Sequence, residues 1–175
     1  MPLHDVAGQE ARTAALGARP RGGGCVVGGV SGGGFCAANL VVQYPEVWGG
    51  AAVLDGYFRP FLSKSVIRRA FGGRRSASHA DDPTRRVQEW PMRLPLPAFW
   101  LMAGTANASD YYDASGFATL LGKREDPRFV TVLGGQHSAP AWRVALPDLL
   151  QWAWTRLDGG DLNGSAVIHG GENGD

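Results

Sequence analysis

Ser31 stands in the run GGVSGGGFCAANL, residues 28–40, with glycines two positions before and two after it, matching G-x-S-x-G. An apolar run, CVVGGV, leads in and a helix-like segment leads out. That is the setting of a nucleophile elbow, where a tight strand-to-helix turn strains the serine backbone and lifts its hydroxyl clear of the sheet. Gly29 and Gly33 are expected where side chains would collide with the crossing backbone, and the Gly32 amide is expected to donate to an oxyanion. A serine so placed needs a base and an orienting acid, in the chain order Ser, Asp or Glu, His. Of the four histidines, His4 and His169 lie in the terminal segments and His79 in a polar middle. Only His137, in LGGQHSAPAW, follows an expected strand directly. The acid is expected in AGTANASDYYDAS. Asp110 is the first candidate and Asp113, a helical turn later, the alternate; Asp110 would also serve as a helix N-cap.

The same glycines admit a second chemistry. Gly32 to Ala37 fits G-x-G-x-x-A between a strand and a helix, and Asp55 ends the next strand where a ribose-binding acid would stand in a dinucleotide site. Against this, Val30 and Ser31 intervene before the glycines, and the reading leaves His137 unexplained.

The elements that must position these residues are legible as alternating strands and helices. CVVGGV, GGAAVLDGY, PAFWLMAG and FVTVLGG read as four strands. Helices are expected over 5–16, 32–44, 61–71, 83–90 and 110–123, with Asp82-Pro83 a good helix start. A last helix carries Trp142, Ala145, Leu146, Leu149, Leu150, Ala153, Trp154 and Leu157 on one apolar face. Pro147 should kink or restart it. From Asp158 onward no core pattern is visible, and a disordered tail over 158–175 is expected. The order implies an α/β fold with a mainly parallel sheet, whose ligand site lies at the carboxyl ends of the strands. Ser31, Asp55, the 105–110 loop and His137 all fall there. Three regions follow: an N-terminal helix and loop over 1–21, the α/β portion over 22–157, and the tail.

Three longer stretches carry a family resemblance: GGVSGGGFCAANLVVQYPEVWGGAAVLDGYFRP, AFGG followed by ADDP, and LGGQHSAPAWRVALPDLLQWAW. Together they resemble the C-terminal part of the esterase family of α/β-hydrolases that includes esterase D-like enzymes and mycobacterial mycolyltransferases. The resemblance implies Ser31 as nucleophile and His137 as base. It places the acid just after the third strand, where Thr105, Ala106 and Asn107 stand, so Asp110 comes slightly late. In that family several strands precede the elbow, and an upstream loop gives the second oxyanion amide. Here only about thirty residues precede Ser31, so the expected fold is a partial α/β-hydrolase. Losing one oxyanion donor costs on the order of 10²–10³ in kcat. Without upstream neighbours CVVGGV would be an unpaired apolar edge, open to self-association or a partner. The expectation is therefore a fragment, a truncated chain, or one completed by a partner.

Composition sets the bounds. The chain has 175 residues, 17 Lys and Arg against 16 Asp and Glu, and a formal net charge of +1, which does not suit a dedicated nucleic-acid binder. Arginine pairs at 68–69, 74–75 and 85–86 read as solvated surface. Cys25 and Cys36 are too few for a disulfide framework or a zinc site and read as buried free thiols. No apolar run reaches the ~18 residues of a membrane span, and MPLHDVAGQE lacks signal-peptide regions. As written the chain reads as cytoplasmic, although a longer parent is compatible with secretion or a membrane anchor. The function expected is a serine hydrolase of carboxylesterase type, or a related acyltransferase, acting on a small ester or acyl substrate without metal or organic cofactor. The competing expectations are a non-catalytic remnant or binding module of the same fold, and a dinucleotide-binding domain.

Overall fold

Apolar residues in the strands part by parity onto two faces, as the two-residue period of a strand requires. In a computed structural model, which describes residues 25–60, 68, 72, 80–157 and 163–170, five strands form one sheet. They are β1 (Val26–Val30), β2 (Gly50–Leu54), β3 (Ala98–Gly104), β4 (Arg128–Leu133) and β5 (Gly164–His169). Every neighbouring pair is parallel and the spatial order follows the chain order. Helices α1 (Gly32–Gln43), α2 (Pro83–Gln88), α3 (Ala108–Leu121) and α4 (Ala139–Leu157) make the crossovers.

Ala51, Val53, Phe99, Leu101, Ala103 and Phe129 face one way and pack against Ala37, Ala38 and Val41 of α1, Val87 of α2, and Ala114, Phe117 and Leu121 of α3. Ala52, Leu54, Trp100, Met102, Val130 and Val132 face the other way, against Ala141, Ala145 and Trp152 of α4. The three central strands are therefore covered on both faces, which is why they read as continuous apolar runs. Asp82 caps α2 as expected, its carboxylate accepting from the Arg85 amide at 3.0 Å.

Four expectations need correction. The tail is not without structure: Gly164–His169 pairs with β4 from Arg128↔Gly164 to Leu133↔His169. Only Ala166 and Ile168 turn toward the core, too few apolar positions to stand out, and the backbone ladder supplies the rest. Helix α4 continues through Pro147 without restarting. Its apolar residues do not share one buried face, because Leu146, Leu150 and Trp154 are exposed while Ala141, Ala145 and Trp152 meet the sheet. Asp110 is not an N-cap but a first-turn residue of α3, whose N-cap position is Asn107. Both cysteines are free, yet Cys25 is only half-buried and Cys36 is exposed. The expected helix at 5–16 lies outside the described residues, as does that at 61–71 apart from Arg68.

Strand β1 sits at one end of the sheet, and among the described residues it pairs only with β2. No helix among the described residues is long and apolar enough to cross a membrane.

Candidate active site

The register brings the carboxyl ends of β1 to β4 to one edge. Val30 pairs with Leu54, Leu54 with Met102, and Gly104, two residues further on, with Val132. Ser31, Asp55, Thr105 and Gly134 therefore leave the sheet on the same side.

At Ser31 the backbone has φ 55 and ψ −121, a conformation that costs a side-chain-bearing residue on the order of 1–3 kcal/mol and clusters at functional sites. Two hydrogen bonds hold it: the Ser31 amide donates to the Leu54 carbonyl at 2.9 Å, and the Phe35 amide donates to the Ser31 carbonyl at 3.1 Å. A Cβ on Gly29 would lie 2.2 Å from the Gly33 carbonyl carbon, so the crossing requires glycine there. Gly33 itself has open space where its Cβ would be. The helix-side position that needs glycine is Gly34, where a Cβ would come within 2.8 Å of Val53. Gly32 begins α1, and its amide is one of the first-turn donors without a partner inside the helix.

The loops that lead to Asp110 and His137 are zipped together. A Cβ on Gly104 would strike the Gly135 carbonyl oxygen at 2.3 Å, so the two backbones lie in direct contact. The Thr105 and Ala106 amides donate to the carbonyls of Val132 and Gly135 at 3.0 and 2.9 Å, and the Gly134 amide donates to Thr105 Oγ1 at 2.9 Å. This contact puts His137 Nδ1 2.7 Å from Asp110 Oδ2. Asn107 Nδ2 donates to the same carboxylate oxygen at 2.6 Å, and Ser109 Oγ to the other at 3.3 Å. A carboxylate at Nδ1 favours the imidazole tautomer protonated there, which leaves Nε2 basic. Among the described residues no hydrogen bond joins Ser31 to His137. The alternate acid, Asp113, is engaged elsewhere and accepts from the Phe58 amide at 2.9 Å.

Asp55 is the participant that sequence reasoning assigned to another chemistry. It is buried, has φ 43, and accepts from the Gly104 amide at 3.0 Å and from Trp142 Nε1 at 2.6 Å. The Trp142 ring in turn meets His137 edge-on, with centroids 5.5 Å apart. Buried and braced by these two donors, Asp55 is not exposed to a ribose, which counts against the acid that a dinucleotide site would need. Donor atoms of Asp55, Asp110 and His137 lie within 4.8 Å of one another. Both carboxylates already accept hydrogen bonds from protein donors and His137 Nδ1 faces Asp110, so the set suits orientation of an imidazole better than ligation of a cation. An open hollow of about 290 Å³ lined by Met92, Arg93, Leu94 and Lys123 lies where the chain enters β3, at the opposite end from Ser31.

The parallel sheet with flanking helices and an elbow serine at its carboxyl edge defines a partial α/β-hydrolase-like fold. Among solved structures the chain resembles a mutant of puromycin hydrolase in complex with PGG, with a TM-score of 0.57, 17% identity, and coverage of 95% of this chain but 26% of that one. An uncharacterized protein of Corynebacterium glutamicum is 28% identical over 137 residues, 74% of this chain. The chain spans about a third of that relative's length (32%). No family profile matches.

Proposed function

We propose that the chain is the catalytic-serine portion of a hydrolase of carboxylesterase type, or of a related acyltransferase, akin to the esterase D-like and mycolyltransferase family. One observation carries this reading: a buttressed Asp110–His137 pair at the sheet edge where Ser31 occupies a strained elbow. In the reaction, His137 Nε2 takes the hydroxyl proton as Ser31 Oγ bonds to the ester carbonyl carbon. The carbonyl π pair moves onto oxygen, which the Gly32 amide holds. Collapse expels the alcohol with the proton returned from His137, and water or a second alcohol releases the acyl group by the same steps in reverse. Asp110 fixes the imidazole and stabilises its cation.

The test is labelling of the folded chain with a fluorophosphonate. Reaction that is lost in both Ser31→Ala and His137→Ala supports the proposal; an inert, well-folded wild type overturns it. The absence of a Ser31–His137 hydrogen bond favours the second reading, a non-catalytic binding module of the same fold. Catalytic hydrogen bonds are often loose before substrate arrives, so the hydrolase reading is the stronger.

A further inference from the structure

The pairing of Asp110 with His137 does not account for Asp55, a third charged group beside them. Asp55 follows Leu54, the last residue of β2, is 1% exposed and has φ 43. An acid is thus held away from water on a strained backbone. Burying a carboxylate is costly unless a cation pairs with it. Among the described residues no lysine or arginine forms an ion pair with Asp55. Its two oxygens instead accept from neutral donors, the Gly104 amide at 3.0 Å and Trp142 Nε1 at 2.6 Å, in the acceptor-only manner of a carboxylate.

The group that compensates this charge is the imidazole. A carboxylate oxygen of Asp55 lies within 4.8 Å both of a ring nitrogen of His137 and of an oxygen of Asp110. Two carboxylates this close repel one another, and a cation beside them relieves both. Such a cation forms when His137 Nε2 takes the serine proton. The charge of Asp55 is therefore poorly paired before the reaction and better paired in its transition state, the difference that lowers a barrier. Its position is fixed beforehand. The Asp55 amide donates to the Met102 carbonyl at 2.8 Å, and the Gly104 bond ties the carboxylate to the end of β3. Trp142, in the first turns of α4, meets the His137 ring edge-on, with centroids 5.5 Å apart and 85° between planes. One indole thus touches the imidazole and bonds to the carboxylate.

We propose that Asp55 is a positioning residue for His137: its charge adds to that of Asp110 in stabilising the imidazolium, and through the Trp142 indole it keeps the ring in place. This rests on the hydrolase reading above and leaves Asp110 as the triad acid. Asp55 makes no bond to substrate and neither gives nor takes a proton. The proton passes from Ser31 Oγ to His137 Nε2 and on to the leaving alcohol.

The experiment compares wild type with Asp55→Asn, which removes the charge at nearly constant shape, and with Trp142→Phe, which keeps a ring against His137 and deletes the indole N–H. Turnover of short-chain p-nitrophenyl esters, the rate of fluorophosphonate labelling, thermal melting and the proton NMR resonance of His137 Nδ1–H are measured on the full chain. Asp55→Asn is expected to lower kcat about 10–100-fold, the order expected for losing a unit charge ~5 Å away in a partly solvated site. KM should change little, and phosphonylation should slow in parallel. Trp142→Phe should lower kcat by a smaller factor and broaden the Nδ1–H resonance, which His137→Ala identifies by its loss. A wild type that turns over, beside an Asp55→Asn variant equally fast per folded molecule, overturns the role of Asp55 and leaves the hydrolase reading intact. A loss that falls on KM rather than kcat, or that vanishes once corrected for the folded fraction, also overturns it. If Asp55→Asn does not fold, Trp142→Phe decides: an unchanged kcat and an unaltered resonance overturn the proposal. An inert wild type overturns both readings together.

Discussion

The two aspartates of α3 look interchangeable in the sequence, three residues apart on one helix, but they do different things. Asp110 meets His137, while Asp113 reaches the Phe58 amide across the helix–loop contact. If Asp110 orients the base, Asp110→Asn should leave the fold intact and lower turnover by about 10³–10⁴, because the wrong imidazole tautomer is favoured. Asp113→Ala should instead cost about 1–3 kcal/mol of stability by leaving the Phe58 amide without its partner. Ester turnover set beside urea unfolding of both variants separates the two roles. Comparable losses of activity per folded molecule would sink the assignment.

Among the elements, the β1–α1 turn sets the tightest steric demand. The two glycines flanking the serine are alike in the G-x-S-x-G pattern, yet only Gly29 meets backbone at 2.2 Å, whereas Gly33 faces open space. Gly29→Ala is expected to destabilise by about 4 kcal/mol, since backbone rather than a pliable side chain blocks the methyl. Gly33→Ala should stay within about 1 kcal/mol of wild type, or gain slightly by restricting the unfolded chain. Thermal melts decide this, and equal effects at the two positions would contradict the elbow geometry. The rest of α1 is tied down independently: Asn39 Nδ2 donates to the carbonyls of Phe35 and Asp81, both at 3.3 Å, and Gln43 to the Asp81 carboxylate at 3.2 Å.

Across the whole molecule, the ion pair of Arg128 with Asp148 locks α4 to the sheet. Asp148 Oδ1 accepts from Arg128 Nε at 3.1 Å and from the buried indole of Trp100 at 2.8 Å. The guanidinium also grips Asp148 Oδ2. Burial pushes the carboxyl upward, but the bonds from Arg128 and Trp100 outweigh it and hold Asp148 below its ordinary value of 3.8. The bond to Asp148 likewise raises Arg128 above its ordinary value against the opposing effect of burial. For an acid depressed on folding, the stabilisation is complete above the ordinary value and is lost as pH falls through the folded-state value. Unfolding free energy should therefore drop below about pH 4 more steeply in wild type than in Asp148→Asn, whose starting stability is lower by roughly 3 kcal/mol. Parallel pH profiles from urea titrations would refute this coupling.

What the sequence determined by itself was whatever local pattern can encode. Four of the five strands, the helices between them and the setting of Ser31 follow from apolar runs, glycine punctuation and the Asp82-Pro83 start. The order of elements was enough to bring Ser31, Asp110 and His137 to one edge, because parallel strands place successive loops at the same end. Tertiary structure decided the rest. Strand β5 depends on a backbone ladder with β4 and turns only Ala166 and Ile168 inward, so no run of residues announces it. On α4, the sheet selects which apolar residues are buried, and Leu150 and Trp154 stay exposed although their spacing is as good as that of Ala145. The choice of Asp110 over Asp113 depends on the Gly104–Gly135 backbone contact, and Asp55 became a buried brace only because Gly104 and Trp142 converge on it. Spacing along a chain fixes which face or end a residue occupies. Which partner it meets there depends on close approaches between segments distant in sequence.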